Sequence, residues 1–215
     1  MVVRHRGPDP AQANSQRHDA GIVLPGSHTD RPNCFGLLNS SVHEQREQYM
    51  IHIRALRLEG DLCDLIALSR DFFQEYAAHH DDFFQIGQLS DGHIVDYFSR
   101  WIDDENGETF VAVAENRVVG YITLCVRERA AHWRIGKVGD ISGLMVHKDY
   151  RRRGIATQLL AHARAFFARQ AVTYFTVYTA VENKAAIAFY ERNGLVPLHT
   201  NMIGVSDTAL DDLQT

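Results

Sequence analysis

The chain has 215 residues, is 45% hydrophobic and carries a formal charge of −5. That length supports one core of ordinary size with an extra segment. The mild acidity argues against a dedicated nucleic-acid binder, whose domain is usually basic. Cys34, Cys63 and Cys125 lie far apart with no C-x-x-C pattern, which predicts a reducing, cytoplasmic compartment without a disulfide framework or a metal site. No apolar run approaches the roughly 18 residues of a membrane span, and no secretory leader is expected.

Residues 1–48 hold four of the five prolines and follow neither a helical nor a strand period, which predicts a disordered N-terminal extension. The segment carries five Arg and five Asp/Glu, so the net charge falls on the rest of the chain, and Met50 is the expected functional start. One domain is expected over residues 49–205, with a short C-terminal tail at 206–215.

"MIHIRALRL" alternates and predicts a first strand. Asp61 is placed to cap a helix whose apolar positions Leu62, Leu65, Ile66, Phe72, Phe73 and Tyr76 follow a 3.6-residue period. "HHDDFFQIGQ" then reads as a loop. Ser90 is the expected cap of a second helix with Ile94, Phe98, Trp101 and Ile102 on its inner face. "TFVAVAE" and "VVGYITLCVRE" are strands joined by a hairpin at Glu115-Asn116-Arg117, and "KVGDISGLMV" is another. Gly143 inside that strand predicts a bulge or a close backbone approach. A helix follows Gly154 and runs to about Gln170, then come the strand "YFTVYTAV", a helix over Lys184–Arg192 and a last strand near "LVPLHT". The pattern is α/β (α+β), a mixed sheet covered by helices.

The stretch "HKDYRRRGIATQLLAHARAFF" places Arg151, Arg152 and Arg153 before a glycine at a helix start. Three readings are open: a nucleic-acid patch, a solvated helix entrance, or a phosphate cradle. A cradle has a physical basis. Unpaired N–H groups at Gly154, Ile155, Ala156 and Thr157, the helix dipole and fork-shaped guanidinium donors all favour an anion, and Gly154 and Ala156 leave the backbone approachable. A Walker A loop and the G-x-G-x-x-G pattern are both absent. Further on, "VENKAAIAFYERNGL" puts Asn183, Ala186 and Tyr190 at i, i+3 and i+7 on one helix face.

The R-x-x-G-x-A spacing from Arg151 to Ala156, the apolar "LMV" before it and the N-x-x-A-x-x-F-Y-x-x-x-G pattern about thirty residues later together resemble the GNAT N-acetyltransferase superfamily. The resemblance covers residues 51–203. It implies the GNAT fold, with a mixed central sheet of six to seven strands, helices on both faces, and strands four and five splayed apart. It implies acetyl-CoA as co-substrate, held by Leu144, Met145 and Val146 on the splayed strand, by Arg151–Thr157 at the phosphates, and by Asn183 and Ala186. Tyr190 is then the expected general acid for the leaving thiolate, since a phenol with a pKa near 10 is protonated at neutral pH. The backbone N–H of Met145 or a neighbour would polarise the thioester carbonyl. Asp140, eleven residues before Arg151, is the expected base and would work through water; the positions nearer the strand end, where many members carry a carboxylate, are Ser142 and Gly143 here.

The expected activity is acetyl transfer to a primary amine of a small molecule or peptide by direct attack in a ternary complex. The alternative is a catalytically idle acyl-CoA-binding domain acting as a sensor or interaction module. The resemblance implies an acceptor pocket built from the first two helices, their loop and the chain end; that loop holds His79, His80, Asp81, Asp82, Phe83 and Phe84, whose aspartates and aromatics suit a cationic amine. The histidine and aspartate spacing does not suit zinc. No nucleic acid, membrane or metal is an expected partner, and the resemblance allows a homodimer.

Overall fold

The computed structural model describes residues 50–205. The expected extension at 1–48 and the tail at 206–215 lie outside the described residues, as does Cys34.

Five strands form one sheet in the order β1-β2-β3-β4-β5. They are β1 (His52–Ala55), β2 (Gly107–Ala114), β3 (Arg117–Glu128), β4 (Lys137–Val146) and β5 (Phe175–Val177). The first four pair antiparallel and β5 joins β4 in parallel, which makes the sheet mixed. The helices are α1 (Leu58–Ala77), α2 (Asp91–Ser99), α3 (Ile155–Arg169) and α4 (Lys184–Arg192), with a 3-10 turn at Lys148–Tyr150.

Alternation along the strands divides the core into two layers. On one face Ile122, Leu124, Ile141 and Val146 pack with Ile155, Leu159, Leu160, Ala163, Phe166 and Phe167, the apolar stripe of α3. On the other, Val111, Val118, Tyr121 and Met145 pack with Leu65 and Leu68 of α1 and Ile94 and Phe98 of α2. Helices therefore cover both faces, as the resemblance implies.

Local chemistry explains the element ends. Glu115 and Asn116 take positive φ (51° and 61°), the two-residue turn whose twist suits a hairpin. Ser90 caps α2 reciprocally: its Oγ accepts from the His93 N–H at 3.3 Å, and His93 Nδ1 accepts from the Ser90 N–H at 3.4 Å.

Three expectations need correction. The sheet has five strands among the described residues, not six to seven. "LVPLHT" forms no strand; Val196 and Leu198 are 81% and 74% exposed, and Pro197 lacks the N–H that a ladder needs. Asp61 is not the N-cap of α1, which begins at Leu58 after Arg57. Asp61 stands one turn inside, where its carboxylate accepts the Arg57 N–H at 2.8 Å and both Arg54 guanidinium nitrogens at 2.6 and 2.7 Å.

Candidate active site

β4 organises the site. Its pairing with β3 passes from Leu124↔Ile141 to Thr123↔Gly143, so Ser142 is the extra residue of a β-bulge, next to the glycine that signalled it. Its pairing with β5 ends at Ile141↔Val177. From Ser142 to Val146, β4 therefore has no strand on its β5 side among the described residues.

The bulge also decides which backbone groups face that gap. The Gly139 N–H donates to Tyr174 O at 2.9 Å, towards the β5 side. Beyond the bulge, Met145 O lies 2.9 Å from the position of a Cβ on Gly120 of β3, and the His147 N–H donates to Val119 O at 2.8 Å. Antiparallel alternation then turns the N–H and C=O of Leu144 and Val146 away from β3. The Met145 N–H, the expected polarising donor, faces β3; its neighbours Leu144 and Val146 face the gap.

Past the 3-10 turn, the chain swings into α3 through Arg152 (φ 64°) and Gly154 (φ 76°). A Cβ on Gly154 would meet nothing within 4 Å, but an L-residue disfavours that φ. No side chain caps α3. Among the described residues none offers an acceptor to the N–H groups of Ile155, Ala156 and Thr157, the donors that a helix start leaves unpaired. Ile155 itself is buried in the core, so it contributes its backbone only.

The three arginines differ in what they do. Arg151 Nε donates to Val146 O at 2.9 Å, and its Nη2 meets Glu75 Oε1 of α1 at 2.6 Å. It braces the end of β4. Arg153 Nη2 donates to Asp149 O at 2.9 Å, and its guanidinium lies 5.0 Å from the centre of the Tyr150 ring. Arg152 is exposed on the turn.

Asn183 Oδ1 accepts the Ala186 N–H at 3.0 Å and thereby caps α4. Tyr190 is 9% exposed, and burial pushes its phenol up from the ordinary value. Its hydroxyl has no hydrogen-bond partner among the described residues, yet it is not one of the sealed, unpaired polar atoms, which are Ser69 Oγ and Trp101 Nε1. No hydrogen bond or ring contact joins Tyr190 to β4 or to the first turn of α3; its ring meets Phe189 at 5.1 Å.

Asp140 lies on the α1/α2 face, opposite the Phe167 side to which Gly139 is turned. Arg127 Nη2 at 3.2 Å and Thr176 Oγ1 at 3.0 Å both meet its Oδ1. Cys125 is buried nearby, and burial with the Asp140 charge pushes its thiol up to about 11, far from a reactive thiolate.

The expected acceptor loop is built by His80, whose Nδ1 accepts the N–H groups of Asp82 and Phe83 at 3.2 and 3.1 Å. Phe84 packs on Tyr76 at 4.6 Å, while Phe83 is 65% exposed. Among the described residues no group of His, Cys, Asp or Glu is placed to hold a metal ion. No helix there is long and apolar enough to cross a membrane.

Sequence reasoning did not single out Tyr97, Glu75, Arg127 or Thr176. Tyr97 sits on α2 beside the inner-face Phe98, and that adjacency was its only signal. Tyr97 Oη lies 2.7 Å from Ser142 Oγ, and Ser142 Oγ donates to Thr123 O at 3.3 Å.

Residues 68–195 match the family model described as the acetyltransferase (GNAT) family. An uncharacterized N-acetyltransferase of Methanocaldococcus jannaschii is 30% identical over 100 residues, which cover 46% of this chain and 43% of that protein. N-alpha-acetyltransferase 30 of Schizosaccharomyces pombe is 33% identical over 86 residues, 40% of this chain and 55% of that protein. The matches thus span about half the length of these curated relatives. Among solved structures, aminoglycoside N-acetyltransferase AAC(6')-Iy in complex with CoA superposes with a TM-score of 0.61 at 15% identity, over 75% of this chain and 98% of that one. At that identity the likeness concerns the fold.

Proposed function

The chain belongs to the acetyltransferase (GNAT) family, and from that premise we propose that it transfers an acetyl group from acetyl-CoA to a primary amine by direct attack within a ternary complex. One observation carries the reading: β4 loses its β5 partner at Ser142, and the same strand leads within a few residues into a helix whose first N–H groups are unpaired. An extended amide-bearing arm ending in phosphates suits this pair of features. The arm can dock as a strand beside β4, and the phosphates can meet the start of α3.

The residues present fit such a co-substrate. Acetyl-CoA supplies the activated acetyl thioester and the thiol that departs. Ile155, Ala156 and Thr157 offer backbone N–H groups to the diphosphate, with Gly154 leaving the approach open and Arg152 and Arg153 adding positive charge. Leu144 and Val146 offer backbone donors and acceptors along the arm, and one of their N–H groups polarises the thioester carbonyl. Asn183 and Ala186 fix the start of α4, which carries Tyr190. The Tyr190 phenol, kept protonated, donates to the departing thiolate. Asp140 takes the proton of the acceptor ammonium through a water, using the oxygen that Arg127 and Thr176 leave open.

The acceptor is a small amine or a peptide amine; the relatives' names, an N-alpha-acetyltransferase and an aminoglycoside N-acetyltransferase, represent both classes. A cytoplasmic setting and a homodimer belong to the same proposal, the first supported by the free thiols of Cys63 and Cys125.

Thermal unfolding with and without acetyl-CoA, followed by thiol release with a free-N-terminus tetrapeptide and with kanamycin, tests the reading. A melting temperature raised by acetyl-CoA and amine-dependent thiol release are expected. No shift at millimolar acetyl-CoA overturns it. A shift without thiol release from either amine leaves the idle acyl-CoA-binding domain instead.

A further inference from the structure

Three features converge on Ser142. It is the first residue of β4 beyond the last pair with β5, it is the extra residue of the β3–β4 bulge, and its hydroxyl is tied to an aromatic side chain from α2. A bulge turns a side chain out of the regular pleat. Here it leaves Ser142 exposed at the mouth of the gap, on the face covered by α1 and α2. Beside it, the bare Cα of Gly143 keeps space over two phenols: a Cβ there would lie 3.3 Å from Tyr121 Cε2 and 3.6 Å from Tyr97 Oη.

Counting protons gives one self-consistent arrangement of the hydrogen bonds. Ser142 has one hydroxyl proton, and it goes to the Thr123 carbonyl at 3.3 Å. Either oxygen can donate across the 2.7 Å contact with Tyr97; with the Ser142 proton on Thr123 O, the phenol is the donor to Ser142 Oγ. Burial is the main push raising the Tyr97 phenol, with the charges of Cys125 and Asp140 adding to it and the hydrogen bonds to Ser142 and Thr123 opposing it, so the proton stays on Tyr97. Thr123 is itself fixed, since its Oγ1 shares a buried hydrogen bond with Thr109 Oγ1 at 3.1 Å. In that arrangement both protons point inward. What remains are lone pairs on Ser142 Oγ and Tyr97 Oη, whose oxygens lie 2.7 Å apart.

Two oxygens that turn lone pairs outwards in this way suit a group with several N–H donors. We infer that Ser142 and Tyr97 form the seat of the acceptor amine: Ser142 Oγ touches the nitrogen, and Tyr97 orients Ser142 while offering a second acceptor. This rests on the acetyl-transfer reading above. The pair stands where the sequence lacks a carboxylate near the strand end. It holds the nitrogen by directed hydrogen bonds rather than by charge, so it selects a primary amine, with an N–H for each oxygen, over a secondary amine with one. Ser142 and Tyr97 both contact the amine, and Tyr97 in addition positions Ser142.

The test uses the full chain and four proteins: wild type, Tyr97→Phe, Ser142→Ala and Ser142→Thr. Each is assayed for the melting-temperature rise with acetyl-CoA, for the KM of acetyl-CoA, and for kcat and KM with the tetrapeptide and with kanamycin. Tyr97→Phe and Ser142→Ala are expected to raise the amine KM about tenfold each while the acetyl-CoA KM stays the same. Ser142→Thr, which keeps a hydroxyl, is expected to recover most of that loss. An unchanged amine KM in Ser142→Ala, or an acetyl-CoA KM that moves in parallel, overturns the inference and leaves the hydroxyls a packing role. Ser142→Ala alters an exposed side chain, so the test survives if Tyr97→Phe fails to fold. A wild type without acetyl-CoA stabilisation or amine turnover overturns the acetyl-transfer reading itself, and the inference falls with it.

Discussion

Arg151 and Glu75 meet at 2.6 Å, and the pair ties the loop that opens α3 to a helix on the opposite face of the sheet. Arg151 also holds the last carbonyl of β4. A lysine cannot make both bonds, because they use the geometry of the guanidinium fork. Arg151→Lys is expected to weaken acetyl-CoA binding severalfold at all salt concentrations. It should cost about 1 kcal/mol or less in denaturant unfolding, since the pair is half-exposed. Arg152→Ala, by contrast, should leave stability unchanged and flatten the salt dependence of acetyl-CoA binding. Calorimetric titration at two ionic strengths separates them; equal salt slopes in wild type and Arg152→Ala would return Arg152 to the status of a solvated charge.

Asp140 offers a pH test. If it takes a proton from the acceptor ammonium, Asp140→Asn should lower kcat at pH 7 by at least about tenfold. The deficit should shrink as pH rises towards the amine's own pKa near 10, where the acceptor needs no base. A pH-rate profile of the variant checks this. A uniform deficit across the range, or none, would make Asp140 an anchor for Arg127 and Thr176.

Tyr190→Phe should lower kcat and leave the acetyl-CoA KM unchanged, because the phenol acts only as the thiol departs. Burial raises its pKa, so the donating form persists throughout the neutral and moderately alkaline range. Wild-type kcat should show no fall assignable to Tyr190 below about pH 10. Equal turnover in Tyr190→Phe would remove the residue from the mechanism.

Much of this was legible in the sequence because it depends on local chemistry. The bounds of β4 and α4, the Ser90 cap and the Glu115-Asn116 turn all follow from residues within one or two turns of chain. The start of α3 is also local, since Gly154 supplies the φ that the approach requires. What escaped is tertiary. The partners Arg151 and Glu75 lie 76 positions apart, and Tyr97 and Ser142 lie 45 apart, so no spacing rule connects them. The Asp61 position shows the same limit at short range. The carboxylate serves the helix start as its type predicts, but Arg54 and the Arg57 N–H draw it in from one turn inside. The "LVPLHT" alternation is real, yet alternation forms a strand only where a neighbouring edge accepts it.

Asp61 gives a stability test with a definite sign. Burial raises its pKa, but the Arg54 hydrogen bonds, the Arg57 N–H and the charges of both arginines outweigh it, so the folded value lies below the ordinary one. A depressed carboxylate stabilises the fold at pH values above its unfolded pKa, near 3.9, and that contribution disappears as pH falls through the folded value. Asp61→Asn should cost about 2 kcal/mol at pH 7, since it strands a part-buried guanidinium. The gap between wild type and variant should narrow below pH 4. Denaturant melts at pH 7 and pH 3 measure both, and a gap constant between them would deny the ion pair its role.

The last prediction concerns glycines chosen for space. A Cβ on Gly107 would fall 2.1 Å from Trp101 Cε3, so the indole lies directly on the backbone where β2 begins. A Cβ on Gly139 would fall 2.5 Å from the Phe167 ring, which itself stacks on Phe175. The two rings differ in the room they have to retreat. Trp101 borders a cavity of about 380 Å³, whereas Phe167 is 2% exposed within the α3 core. Gly136 has nothing within 4 Å, and its φ is not in the left-handed region. Gly107→Ala and Gly139→Ala should therefore each destabilise by about 1–3 kcal/mol, with Gly139→Ala the costlier because the stacked rings must move together. Gly136→Ala should be neutral or slightly stabilising, through the reduced entropy of the unfolded chain. Urea unfolding of the three variants checks the order. A Gly139→Ala protein as stable as Gly136→Ala would mean that the Phe167 ring has room to move, and that β4 approaches α3 less closely than the packing requires.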